Sequence, residues 1–423
     1  MENYGIILFL LALMVVLSAF SEKLKLPVPI LLILAGIGIG FMPFMPPVEL
    51  EPEVIFLLFL PPLLYDAAFN MERDGFRTHF NTIATLGVGL VFLSTLGIAV
   101  VARFLIPGFN WPLAFVLGAI LSATDAVAAM GVTRGLGLSR KTIVILEGES
   151  LVNDASALVA YRFSVLAAMG VGFVWWQAGL EFLRLMLGGM LTGLVMGRLL
   201  TLLLKYFPRN NQLIISTMLL IPFITYLFAE YIGVSGVIAV VSLGLGMAYI
   251  SNRVFPEHLK NQSKAFWDVI IYLLNGLIFI LIGLEFPYVI EKLAPSNILP
   301  YIGYAALITV AALLMRLARV YLQQVNLQKA FVTRKRRISE NALLDFRSSL
   351  IISWAGMRGI VSLAIALGLP SHLPDGSPFP ERNAIIFISV AVVLMTLLGQ
   401  GLTLPWLVKI LMKEKSKHEE IPG

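Results

Sequence analysis

Cysteine is absent from the 423 residues, which excludes disulfides, thiolate metal sites and cysteine nucleophiles and leaves the redox compartment open. Charge is scarce: Asp, Glu, Lys and Arg together make up 13% of the chain, too little to coat a soluble fold of this length. Histidine occurs only as His79, His258, His372 and His418, all outside the long apolar runs, so proton chemistry within those runs falls to carboxylates. No Walker sequence, GxSxG, HExxH or EF-hand loop is present, and the Gly-x-Gly of RGLGLSR (134–140) lacks the strand and helix of a phosphate-binding loop. These absences point away from an enzyme and from any bound cofactor. What fills the chain is apolar: 58% of residues, with a mean hydropathy of +0.89. That balance belongs to a membrane protein, and runs that are long rather than alternating exclude a β-barrel, leaving an all-α polytopic bundle.

Thirteen apolar runs fall at about 4–20, 26–42, 51–69, 81–106, 111–133, 141–169, 178–204, 212–229, 232–250, 265–285, 299–325, 347–369 and 383–411, each long enough to be read as one transmembrane helix. The first lacks a basic leader and a cleavage site and reads as a retained span. Every second connection is basic, from Lys23 and Lys25 through Arg73 and Arg77, Arg134, Arg140 and Lys141, Lys205 and Arg209, Arg253, Lys260 and Lys264, to Lys329, 334–337 and Arg347, and on to the tail lysines from 409. The alternate connections are acidic or bare, as in VELEPE (48–53). The positive-inside rule then places the N-terminus outside and the C-terminus in the cytoplasm. The pI of 9.4 is thus a topology signal that implies no nucleic acid, and the run 334–337 reads as an anchor on anionic lipid. With the seventh run set aside, two sixes remain whose first members cross in opposite directions, the arithmetic of an inverted repeat with its transport site at the midplane. Gly189, Gly193 and Gly197 in that seventh run read as close helix packing.

Ionisable side chains inside a bilayer cost at least about 2.5–3.5 kcal/mol each, so the few present locate function. In span 5, LGAILSATDAVAAMG (117–131) sets Thr124 and Asp125 among small residues. That pattern reads as an interrupted helix whose freed ends serve an ion, or as an intact span with Asp125 facing a watery crevice. In span 6, ILEGESLVNDASALVAYRF (145–163) carries Glu147, Glu149, Ser150, Asn153 and Asp154. Ser150 and Asp154 share one helix face and Glu149 and Asn153 share another. Asp154 suits a carboxylate that takes up a proton or a hard cation, and Glu149 suits an ion pair with a deep arginine, Arg316 in span 11 or Arg358 in span 12. Arg358 stands between Gly356 and Gly359, a break to match that of span 5. Asp66 in FLPPLLYDAAF (59–69) is either near the ion site or a plain interfacial acid, and Asp268 and Glu285 read as interfacial.

FLPPLLYDAAF, SATDAVAA (122–129), GESLVNDASALV (148–159), NGLIFILIGLE (275–285) and GMRGIVSL (356–363) stand in an order that resembles the sodium/proton exchanger family, the electroneutral branch of the cation/proton antiporters, in its prokaryotic form. The resemblance implies a homodimer of thirteen-helix protomers in which crossed, discontinuous spans 5 and 12 belong to a core that moves like an elevator against a scaffold. It divides the chain into scaffold helices at 1–80 and 211–290, core helices at 81–170 and 291–411, a linking helix at 171–210 and a short cytoplasmic tail at 412–423. It makes Asp154 the ion and proton carboxylate, with Asn153, Ser150, Thr124, Asp125 and Asp66 around it and Na⁺ held at Asp154, Ser150 and Thr124. It pairs Glu149 with Arg316 and gives Arg358 the broken helix of span 12. The expected activity is one-for-one exchange of Na⁺ or Li⁺ for H⁺ across the plasma (inner) membrane. The rivals are K⁺/H⁺ exchange on the same fold, a cation channel and a sodium-coupled symporter.

Overall fold

The computed structural model describes residues 2–24, 28–42, 52–133, 136–170, 175–206, 210–254, 256–333 and 340–419. Lys25, residues 48–51 of the acidic stretch, Arg134, Arg209 and the basic run 334–337, named above as topology signals, lie outside the described residues. Among the described residues every extended element is a helix. α1 (Glu2–Leu24), α2 (Val28–Gly40) and α3 (Pro52–Phe69) carry the first three apolar runs. α4 (Arg73–Ala84) and α5 (Val91–Leu105) carry the fourth and are joined without a break by a π-helical segment, Thr85–Leu90. The fifth run is split between α6 (Trp111–Ile120) and α7 (Ala126–Thr133). One run each falls to α8 (Arg140–Ala168), α9 (Trp175–Tyr206), α10 (Asn211–Tyr231), α11 (Gly236–Val254), α12 (Glu257–Glu291) and α13 (Pro295–Val332). The twelfth run is split between α14 (Phe346–Trp354) and α15 (Ile360–Leu367), and α16 (Arg382–Glu419) is the last helix.

Six of these helices, counting Arg73–Leu105 as one, are long and apolar enough to cross a membrane unaided, while the apolar parts of α1, α2, α3, α6 and α11 are shorter. The starts of several helices are set by capping side chains. Asn110 Oδ1 accepts from Leu113 N at α6, Ser139 Oγ from Thr142 N at α8, and Asp345 Oδ2 from Ser348 N at α14, each satisfying a donor that the first turn leaves orphaned. Prolines 61 and 62 in α3, 222 in α10, 287 in α12 and 405 in α16 lie inside helices, which membrane bundles tolerate because neighbouring groups satisfy the freed carbonyls.

Small residues allow the close approaches. A Cβ on Gly189 would lie 2.7 Å from Ser235 O, and one on Gly193 would overlap Ala239 O and stand 2.8 Å from Ser242 Cβ, so α9 and α11 touch backbone to backbone. Within this framework α8 packs against α4, α6 and the π segment, and α13 against α14 and α16. The π segment lies on the functional stretch of α8: a Cβ on Gly87 would meet the Val152 side chain at 2.6 Å and Asn153 N at 3.3 Å.

Gly193→Ala is expected to force α9 from α11 and cost about 1–3 kcal/mol, as overpacking does. Gly179→Ala on the same helix has nothing within 4 Å and is expected to leave stability unchanged or slightly raised. Thermal unfolding of both purified variants checks the contrast; equal melting temperatures would refute it.

Candidate functional site

α6 ends at Ile120, where Ser122 Oγ donates back to Ala119 O at 2.8 Å, and α7 does not begin until Ala126. α14 ends at Trp354, and α15 begins at Ile360. The two gaps meet. Asp125 N donates to Met357 O at 2.8 Å and Ser362 Oγ to Ala123 O at 3.3 Å. The Asp125 carboxylate sits where it caps two helices at once: Oδ1 accepts from Ala128 N of α7 at 3.1 Å, and Oδ2 from Ile360 N, the first residue of α15, at 3.3 Å. A negative group suits two helix N-termini, whose partial positive charges and orphan N–H groups converge there. Residue 359 is glycine because a Cβ would occupy the space of that carboxylate. The opposite pole, the C-terminal end of α14, is met by cations. Arg316 Nε and Nη2 donate to Ile352 O at 3.1 and 2.9 Å, and Arg358 Nη1 donates to Gly356 O at 2.9 Å. Arg358 N in turn donates to Thr396 Oγ1 of α16 at 3.1 Å.

On α8 Glu149 and Asp154 separate as their spacing requires. Glu149 and Arg316, both almost wholly buried, form a bidentate ion pair, with Nη2 to Oε2 at 2.9 Å and Nη1 to Oε1. The pair continues as a chain: Thr124 Oγ1 donates to Glu149 Oε1 at 3.3 Å, and Asn153 Nδ2 donates to Thr124 Oγ1 at 2.6 Å and to Thr124 O at 3.2 Å. Ser150 Oγ donates to Thr124 O at 3.1 Å and accepts from Ala126 N at 3.3 Å. The interrupted backbone at Thr124 is thereby tied to α8 from both sides. Glu149, Asn153, Arg316 and Arg358 surround a gap too small to hold a water molecule.

Asp154 faces elsewhere. With Ser150 it lines a cavity of about 450 Å³ whose walls also include Thr124, Asp125, Asp66 and Ser362. Asp66 Oδ1 accepts from Asn70 Nδ2 at 2.8 Å. Thus Asp154, Ser150, Thr124, Asp125 and Asp66 share one space, while the Glu149–Arg316 pair and Arg358 stand behind it. Asp154, Asp66, Glu147 and Asp125 give that space a strongly acidic wall, relieved by Lys264 of α12. Oxygen donors and carboxylates are what a hard monovalent cation or a proton requires.

Sequence reasoning left several wall residues without a role. Glu147 was visible in the acid-rich run, Asn70 stands four residues after Asp66 on one helix face, and Lys264 was counted only as a topology signal. The π segment beside Asn153 carries no pattern beyond Gly87 and Gly89. Glu285, read as interfacial, is buried, in the wall of a polar cavity with Lys292, His372, Glu381 and Arg382.

Leu at position 149 or 316 strands the opposite charge. Glu149→Leu and Arg316→Leu are each expected to cost about 3–5 kcal/mol, and the double variant markedly less than their sum. Thermal unfolding of the four proteins measures the coupling; additive losses would show that the pair contributes nothing as a pair.

The profile of the family described as sodium/hydrogen exchanger, transmembrane, matches residues 8–410. A sodium, potassium, lithium and rubidium/H⁺ antiporter of Bacillus pumilus is 35% identical over 429 residues, which cover 99% of this chain and 62% of that protein. The Na⁺/H⁺ antiporter of Aphanothece halophytica is 32% identical over 411 residues, covering 96% and 73%. The chain thus spans less than two thirds of the length of the Bacillus relative. Among solved structures, the sodium proton antiporter MjNhaP1 from Methanocaldococcus jannaschii superposes with a TM-score of 0.74 at 22% identity, covering 97% of this chain and 99% of that one, a likeness of fold. From the match over residues 8–410, on an all-helical architecture that a solved antiporter shares, the chain belongs to the sodium/hydrogen exchanger family.

Proposed function

We propose that this chain is a secondary antiporter that exchanges Na⁺ or Li⁺ for H⁺ one for one, with Asp154 as the group that carries either ion. The observation that carries this reading is the company Asp154 keeps in its cavity. Its neighbour along α8 is Asn153, an amide committed to Thr124, and the nearby Asp125 is committed to the N-termini of α7 and α15. An amide does not titrate, and both oxygens of the Asp125 carboxylate are already taken up by helix N–H groups. Of the other carboxylates, Asp66 accepts from Asn70 and Glu147 stands about two turns before Asp154 on α8, so Asp154 is the acid placed beside the broken helices to alternate between a proton and a monovalent cation, with Ser150 and the Thr124 carbonyl as further oxygen donors. Proton and cation then compete for the same atoms and are never carried together.

Alternating access supplies the remainder. In this reading helices 81–170 and 291–411 form a core that carries the site past a scaffold of helices 1–80 and 211–290, linked by 171–210 and followed by the tail 412–423. The two sixes are inverted repeats, the protomer pairs as a homodimer, and the chain sits in the inner membrane with its N-terminus outside and its C-terminus cytoplasmic. A second reading, K⁺ in place of Na⁺, is favoured by the name of the Bacillus pumilus relative, which includes potassium and rubidium. Oxygen donors alone do not separate these ions.

Reconstitution in proteoliposomes tests the proposal. A Na⁺ gradient alone is expected to move protons, Asp154→Asn is expected to abolish that flux while leaving a folded protein, and a panel of Na⁺, Li⁺, K⁺ and Rb⁺ assigns the ion. Full flux in Asp154→Asn would remove Asp154 from the carrier role.

Competition for one group makes apparent Na⁺ affinity weaken about tenfold per pH unit on the acid side, where Asp154 is protonated. An affinity constant between pH 5 and 8 would place the proton elsewhere. One-for-one exchange moves no net charge, so a potential imposed with valinomycin, worth about 2.3 kcal/mol per charge per 100 mV, should leave rate and end point unchanged. A dependence on that potential would mean that a second group, Asp125 first, also gives up its proton.

A further inference from the structure

A second cavity, of about 590 Å³, lies along the same helices as the first, at the other end of α3 and α8. The inner cavity takes Leu63, Leu64, Asp66 and Ala67 from α3 and Glu147, Ser150, Leu151 and Asp154 from α8. The outer one takes Phe56 and Leu60 from α3 and Leu158, Arg162 and Val165 from α8. Asp154, Leu158 and Arg162 are successive i, i+4 positions on one helix face, so the floor of the outer cavity lies one turn, about 6 Å, from the carboxylate that faces the inner one.

Beside this outer cavity α8 is held to its neighbours by apolar packing and by polar links. The Phe56 and Tyr161 rings lie 6.3 Å apart, and Tyr161 Oη donates to Gly368 O, just past α15, at 2.9 Å. Arg162 Nη1 of α8 reaches Glu230 Oε2 of α10 at 3.5 Å, and Glu230 Oε1 accepts from Gly236 N, the first residue of α11, at 3.0 Å. The pair thus ties the helix that carries Asp154 to two helices that contribute nothing to the inner cavity. With side chains 44% and 36% exposed, it is an exposed ion pair, of the kind that contributes little to global stability. A weak link spanning a moving seam has a different use. It shifts the balance between two nearly equal conformations by its own small free energy.

We propose that Arg162 and Glu230 form a latch that holds α8 against α10 and α11 in the conformation seen here, with Asp154 facing the inner cavity, and that this latch opens when Asp154 turns from the inner to the outer side. The inference rests on the alternating-access reading above, though not on which ion is carried. It makes Arg162 and Glu230 positioning residues that set the inward-to-outward population and never touch the ion.

The absence of cysteine makes the test direct. Leu158→Cys reports on the outer cavity and Ala67→Cys on the inner one, each labelled by a membrane-impermeant maleimide in vesicles of known orientation. Arg162→Gln and Glu230→Gln are each expected to raise outer labelling about two- to fivefold and to lower inner labelling, as the loss of an exposed ion pair allows. The reversed pair, Arg162→Glu with Glu230→Arg, is expected to bring both rates back toward the parent. Unchanged rates in both Gln variants overturn the latch, and so does a rise at both reporters together, which marks general loosening. Labelling needs no substrate ion, so a latch that behaves as expected in a protein that fails to exchange Na⁺ for H⁺ would leave this inference standing and remove the ion assignment.

Discussion

Breaking a helix inside a membrane exposes up to four C=O groups at one new end and up to four N–H groups at the other, and hydrocarbon offers them no partner. The protein breaks two helices and brings the ends together, so each gap supplies partners for the other. Asp125 serves the N-termini of α7 and α15, and Arg316 and Arg358 serve the carbonyl end of α14. Asp125 N and Ser362 Oγ bind backbone carbonyls across the crossing point. Everything at the candidate site depends on this settlement, because the unwound Thr124 is held by Ser150 and Asn153 of α8, and the same turns of α8 carry Asp154.

Glu149 and Asp154 of α8 illustrate how burial and partners divide chemistry between like groups. Glu149 lies in a closed space with a guanidinium and a hydroxyl bound to it, an arrangement that holds a carboxylate in one place. Asp154, five residues on, opens onto a cavity shared with other acids. One is fixed in an ion pair and the other faces open space, and the angular offset of five helical residues, about 140°, is what separates them.

Much of this was legible in the chain. Long apolar runs gave the helices, because each run ends in charge or in turn residues, and the structure places each run on one helix or one split pair. The break in span 12 was readable from Gly356 and Gly359, and the offset of Glu149 from Asp154 from helical geometry alone. Other features were not. Asp125 was visible as a costly charge, but that its partners are the amides of Ala128 and Ile360 depends on a contact between segments 235 residues apart. The choice between Arg316 and Arg358 for Glu149 likewise depends on where α13 packs. Glu285 shows the limit from the other side: its position near the end of an apolar run suggests water, and tertiary packing buries it.

The π-helical segment Thr85–Leu90 carries a wider bond step than the α-helices on either side and so accommodates an extra residue in the count. One residue corresponds to about 100° of rotation about the axis. The helix therefore behaves as two screws in series with a fixed phase offset: α4 turns one set of side chains toward α8, and α5 turns toward α6 and α13 a set that an unbroken α-helix of the same length would aim elsewhere. Gly87, at the phase step, sits against Val152 and Asn153. The orientation of the amide beside Asp154 is thus referenced to a counting irregularity in a neighbouring helix, and inserting or deleting one residue there would re-aim half of that helix while barely altering its composition and hydropathy.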